Sequence, residues 1–383
     1  MSYKAFQDWY HEASIRHLLL YEYNGNLMSP PFATEKCKDY SKILLWDGIT
    51  ASYIELDLPP VTSKTNAVVK VKDSLWLIPY GIYDNFNIVV ELRGKTPIYH
   101  TLDNLGKGQF YSAASNGDAA FSFPLGYEGT EYGLYITNGK VESIKFNNRN
   151  HIKLHMGCVY ANNRFWSMPR SDTEGYIDIM SFDGNTLESY PIVNINPIVT
   201  RKYTDIVVVG EKLYALPFGE TSGLNEIIEF DTVTKETTLY PIYGPDFAKK
   251  YNVSVLVGNK IIGLPYGDEY CQDSNLGITF DIVTKQITQF DIGITYGGKY
   301  RYRSGIEYRG YGFFFPTGTP SCPIFKISQD ANVIKKLYLE NTMIGRPIIY
   351  QDKIFVMSYD ILTHSQKILS FDEELNYKVE LEL

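Results

Sequence analysis

Eight apolar runs along this chain end at one kind of position: Pro31, Pro79, Pro124, Pro169, Pro217, Pro265 and Pro316, with Ser358 standing in the eighth. The steps between neighbours are 48, 45, 45, 48, 48, 51 and 42 residues. A period of that length, with a short turn ahead of each run, is that of one four-stranded unit in a radial β architecture. Such a unit has two apolar faces and buries both only against copies of itself. The expected fold class is therefore all-β, with eight four-stranded antiparallel units and seven units with one displaced repeat as the alternative. The units span about 15–60, 66–103, 110–147, 154–193, 204–243, 252–293, 303–340 and 346–383, in a single domain over 15–383. Residues 1–14 are expected to form an N-terminal extension, a short helix or a clasp.

The fifth unit shows the plan. Asp205 to Val209 is a β-branched run, Gly210-Glu211-Lys212 a turn, and Leu213 to Pro217 the next strand. A polar loop leads to Glu226–Asp231, and Thr232 to Lys235 turns into the fourth strand. In five units the third strand ends in an aromatic residue and an aspartate, as at Trp46-Asp47, Phe182-Asp183, Phe230-Asp231, Phe280-Asp281 and Phe371-Asp372. The carboxylate at that place is suited to accept N–H groups of the following turn. Units two, three and seven carry Leu92-Arg93, Ile136-Thr137 and Ile327-Ser328 instead, which predicts less regular outer turns there. Small residues at Ala113, Gly157, Ser254 and Gly305 fit first strands crowded around an axis.

On this four-strand unit and its period, the chain resembles β-propellers of the kelch and WD-repeat type over about residues 15–383. The Gly-Gly pair of a kelch second strand is replaced by Pro79-Tyr80-Gly81, Pro217-Phe218-Gly219 and Pro265-Tyr266-Gly267, and Trp46-Asp47 is a lone pair, so no subfamily is named. The resemblance implies that the loops between units, and those joining second to third strands, open on one ligand-binding face.

Composition narrows the function classes. With 36 Lys plus Arg against 44 Asp plus Glu, the chain has no global positive field to hold a nucleic acid. No apolar run approaches the length of a membrane span or signal peptide, so a cytoplasmic protein without a membrane partner is expected. Cys37, Cys158, Cys271 and Cys322 lack the close spacing of a zinc site, and the Asn252 sequon is read as chance. Asp268, Glu269 and Asp273 lack the ordered spacing of a calcium loop, and neither metal nor cofactor is expected.

The candidate site lies in the segments leading into first strands, where cations alternate with aromatics: Lys202-Tyr203, Lys250-Tyr251, Lys299-Tyr300, Arg301 and Arg303, with Lys107 to Tyr111 and Arg346. His151, Lys153 and His155 alternate likewise, and Arg170 follows a second strand. Around one channel mouth these residues would form a basic, stackable surface for an anionic or sugar-like ligand or an acidic peptide. The second-to-third strand loops, with Asp84, Glu128, Asp172, Glu174, Glu220 and Asp268, would add an acidic rim. No nucleophile elbow, phosphate loop or metalloprotease motif occurs. The expected function is non-catalytic recognition of a partner or ligand at the mouth. The alternative is an epimerase, lyase or hydrolase acting on a carbohydrate or other polar metabolite there.

Overall fold

Eight antiparallel sheets follow one another along the chain, each built from consecutive strands. A computed structural model describes residues 13–80, 86–103, 110–125, 132–146, 155–221, 223–244, 248–266, 275–294, 301–316 and 322–383. Blade 2 is representative, with strands Thr65–Val71, Ser74–Pro79, Ile88–Arg93 and Thr96–Thr101. First strands of successive blades lie side by side, as Val207–Val209, Tyr251–Val257 and Tyr302–Tyr308 do, so the first strand is innermost. In blade 8 the innermost strand is split into Thr342–Ile344 and Ile348–Tyr350, both paired with Lys353–Asp360. The N-terminal extension lies outside the described residues up to residue 12, and Ala13 and Ser14 carry no helix.

The core sits between blades. One cluster joins Trp166 and Ile179 of blade 4 to Leu213, Ile228 and Phe230 of blade 5, and another joins Tyr350 and Phe355 of blade 8 to Leu27 and Trp46 of blade 1. Each such side chain, fully buried, contributes about 1.5–3 kcal/mol, so stacking is what stabilises the sheets. Gly305 marks how close the inner strands come: a Cβ there would lie 2.6 Å from Val255 Cγ2 and 3.1 Å from the Phe313 carbonyl oxygen. Gly157 is less constrained, its nearest contact being Ile206 at 3.4 Å.

The outer turns follow the aspartate pattern. Asp47, Asp183, Asp231 and Asp281 each accept the N–H groups two and three residues ahead, at 2.6–3.0 Å. Asp372 accepts from Glu374 and Asn376, both at 2.9 Å. Blades 2 and 3 correct the expectation of irregularity. Arg93 pairs with Thr96 and Thr137 with Lys140, so these are two-residue hairpins, tighter than the aspartate loops. Blade 7 does carry a register shift, between Lys326 and Ile327.

Among the described residues no strand is exchanged where the ring closes. The Gln366 side chain of blade 8 accepts the N–H groups of Arg16 at 2.8 Å and His17 at 3.3 Å, and donates to the His17 carbonyl at 2.6 Å. Ala13 and Ile15 pack beside Phe32 and Tyr359, so the segment ahead of blade 1 acts as a clasp onto blade 8.

Candidate functional site

The cations that stand out in the sequence are mostly part of the frame. Lys202, Lys250 and Arg301, with Lys64, occupy one repeat position and are only 1%, 1%, 0% and 0% exposed. Their backbone bridges blades: Lys250 N–H donates to the Phe218 carbonyl at 2.8 Å and its carbonyl accepts from Tyr266 N–H at 2.7 Å, and Lys64 does the same between Phe32 and Tyr80. The Lys202 ammonium donates to the carbonyls of Val199 and Pro197, and Arg301 Nη1 to Asn275 Oδ1 at 3.1 Å. Burial lowers Lys202 to about 8, against the raising influence of Glu174. The expectation of exposed cations at a channel mouth is thus corrected for these three: with Lys64 they join one blade to the next through their backbone, and their charged groups are buried in the protein.

The next repeat position holds buried rings in blades 5 and 6. Tyr203 donates to the Glu226 carbonyl at 3.2 Å, and Tyr251 is 1% exposed, its phenol raised by burial. His155 is buried, with Nδ1 3.2 Å from the Met168 carbonyl oxygen and Nε2 2.8 Å from the Tyr176 hydroxyl. The carbonyl can only accept, so Nδ1 carries the proton and Nε2 accepts from Tyr176. Burial lowers this imidazole to about 3. His17 repeats the arrangement with Pro30 and Tyr40 and is lowered to about 4. His155 is therefore a neutral core residue. His151, Lys153, Lys299 and Tyr300 lie outside the described residues.

Arg303 and Arg170 do reach the axis, in company that differs from blade to blade. Tyr21, Tyr80, Tyr111, Arg170, Asp205, Tyr266, Arg303 and Arg346 come one from each blade and act on one another electrostatically. Arg303 is solvent-exposed although protein surrounds it, as a residue lining a channel must be. Its Nε lies 2.9 Å from the Tyr266 hydroxyl and its guanidinium 5.3 Å from that ring. The Arg346 guanidinium lies 5.0 Å from the Tyr111 ring, which meets Tyr80 edge-on at 5.8 Å. Burial raises the Tyr111 phenol, but Arg346, Arg303 and Arg170 outweigh it and hold the group below its usual value. Asp205 accepts Ser254 N–H at 2.7 Å and Ile206 N–H at 3.0 Å. Burial raises it to about 6, the two N–H donors and Arg346 opposing. Among the described residues Arg303 and Arg346 stand with one carboxylate, Asp205, while Arg170 is paired with Asp172, which leaves a local positive charge inside a chain of net charge −8.

Sequence reasoning missed Tyr21, Tyr80, Asp205 and Tyr266 as site residues. Tyr80 and Tyr266 were visible as the residue after the repeat proline, where their aromatic character served as a mark of the fold. Of the expected acidic rim, Asp172, Glu174 and Glu220 are described: Asp172 pairs with Arg201 and Arg170, Glu220 with Arg201 at 2.8 Å and Lys249 at 3.1 Å, and Glu174 is exposed and acts on Lys202. Asp84, Glu128 and Asp268 lie outside the described residues.

No protein-family model matches the chain, and no curated protein matches its sequence. Among solved structures it is similar to BamB from Moraxella catarrhalis, at 9% identity over 91% of this chain and 93% of that one, with a TM-score of 0.56. The chain is an eight-bladed β-propeller. It is also similar to a protein provisionally assigned as a 6-phosphogluconolactonase from Bacteroides fragilis, at 12% identity over 83% and 96% of the two chains, with a TM-score of 0.50. At these identities the likeness establishes the fold and no kelch or WD-repeat membership, and function has to be argued from the channel.

Proposed function

We propose that the propeller is a binding protein whose channel takes an anionic group, a carboxylate or phosphate carried by a partner peptide or by a small metabolite. The observation that carries this reading is the gathering of guanidiniums against phenols at the axis, Arg346 5.0 Å from the Tyr111 ring and Arg303 Nε 2.9 Å from the Tyr266 hydroxyl. Guanidiniums offer paired N–H donors to an oxyanion, phenols add single donors and flat apolar faces, and low-dielectric walls strengthen both. Calorimetry with pyrophosphate and with a penta-aspartate peptide tests it. Arg303→Gln combined with Arg346→Gln should weaken binding at least tenfold, and affinity should fall with added salt. Tighter binding of the peptide identifies a protein partner, tighter binding of pyrophosphate a small ligand. Affinity unchanged by the double substitution contradicts the reading.

An enzyme acting on a polar metabolite is the second reading, and Asp205 is the observation that favours it, since a carboxylate raised to about 6 suits proton transfer near neutrality. Both its oxygens already accept backbone N–H groups, one of them from blade 6, which accounts for it as a staple between blades. Asp205→Asn should therefore leave anion binding intact. Loss of a measured turnover with binding retained would favour the enzyme.

A further inference from the structure

The hairpin face, opposite the open loops, carries a second repeated device. The outer hairpin of one blade sends a lysine back over the aromatic residues of the blade before it. Lys235 of blade 5 lies 4.6 Å from the Trp166 ring and 5.4 Å from the Tyr190 ring of blade 4. Lys285 of blade 6 lies over Tyr214 and Tyr240 of blade 5, at 5.3 and 5.7 Å, and its ammonium meets Glu229 at 2.6 Å. Between blades 7 and 8 the charges are exchanged, with Lys326 of blade 7 meeting Glu374 of the blade 8 hairpin at 3.3 Å.

Blade 2 has the receiving half of this device. Trp76 pairs with Glu91 in the register in which Tyr214 pairs with Glu229, and Trp76 and Glu91 are 0% and 1% exposed. Blade 3 lacks the inserted half. Its outer hairpin is the two-residue Asn138-Gly139 turn, with Gly139 at φ 72°, in place of the longer loop that carries the lysine. A cavity of about 460 Å³ remains, lined by Trp76, Glu91, Ser74, Arg93, Asn138 and Gly139 among others. Arg93 stands in for the missing charge from within the blade, its Nε 2.6 Å and its Nη2 3.2 Å from Glu91, while its side chain stays 56% exposed. Glu91 also accepts from Ser74 Oγ at 2.7 Å and meets His100 Nε2 at 3.1 Å, the His100 ring lying against Trp76 where Tyr240 stands in blade 5, and with these groups in place the volume stays open. The Trp76 indole N–H makes no hydrogen bond, whereas that of Trp166 donates to the Ala161 carbonyl at 2.9 Å.

We propose that the cavity between blades 2 and 3 binds an alkylammonium group, the lysine side chain of a partner or a small free amine, in the place that Lys285 fills between blades 5 and 6. Arg93 yields its looser contact when the ammonium enters, and the carboxylate then holds two cations, as Glu229 holds Lys212 and Lys285. The cation lies beside an aromatic residue and against a buried carboxylate, a pairing that an uncharged analogue does not reproduce.

The test follows the indole resonances of the full chain, labelled with nitrogen-15 at tryptophan, during titration with Nα-acetyl-lysine methylamide, with butylamine and with a lysine-rich peptide. The Trp76 signal should move along a saturable curve while that of Trp166 stays still, and the Nε-acetylated lysine analogue should have no effect. Ser74→Lys replaces the hydroxyl that donates to Glu91 Oε1 at 2.7 Å with an ammonium, which together with Arg93 gives the carboxylate its two cations before any ligand arrives, and should weaken binding at least tenfold. Glu91→Gln should do the same. A peptide that binds tighter than butylamine identifies a protein partner, and equal affinities a small amine. Absence of a saturable Trp76 shift, or an equal response to the acetylated analogue, overturns the proposal.

Discussion

Lys202 and Arg303 are both cations on blade starts, and their replacement should have opposite consequences. Lys202→Ala leaves the Val199 and Pro197 carbonyls without their donor in a buried loop, so chemical denaturation should show a loss of about 1–3 kcal/mol. Arg303→Gln removes one of three like charges from a solvated channel and should change stability by less than about 1 kcal/mol. The histidines give a pH signature. Both are held neutral by burial, so the unfolded chain takes up protons near pH 6.5 and the folded chain only near pH 4 for His17 and pH 3 for His155. Their contribution is complete above pH 6.5 and is lost as the pH falls through the window below it. His155→Phe, with Phe110 as precedent at the same repeat position, should flatten the stability profile between pH 7 and 4 by about 2–3 kcal/mol relative to the parent. Identical slopes would remove His155 from the account.

At the scale of strands and turns, the repeat made most of the fold legible. Asp47, Asp183, Asp231, Asp281 and Asp372 bind the turns that their spacing assigned to them, because an aspartate side chain acts locally and needs no distant partner. The same regularity misdirected the reading of the site. Lys202, Lys250 and Arg301 recur with Lys64 at a position whose backbone joins successive blades, so repetition marked architecture. The channel residues come from eight blades as tyrosine, arginine and aspartate in no repeated order, and only the closed ring brings Tyr21 near Arg346. A residue that breaks the repeat at an inner position is the better sequence signal of a site. Gly305 and Gly157 test the packing of those inner strands. Gly305→Ala should cost about 1–3 kcal/mol by overpacking against Val255 and the Phe313 carbonyl, while Gly157→Ala should be nearly neutral, as thermal denaturation would show.

For the whole molecule, the closed ring is what turns eight separate segments into one channel. Gln366 joins its ends, and Gln366→Leu should leave the backbone groups of Arg16 and His17 unpaired and speed amide exchange in blades 1 and 8 ahead of the other blades. Uniform exchange across the ring would place closure elsewhere. Arginine and tyrosine line the axis, while Lys235 and Lys285 lie between blades at the outer hairpins. Anomalous diffraction from a crystal of the protein soaked in tungstate reads the axial lining itself. A tungsten peak should lie within hydrogen-bonding distance of Arg303 and Arg346, beside Tyr111, and be absent from the Arg303→Gln, Arg346→Gln protein. Tungsten found only at surface lysines, with the axis empty, would contradict it.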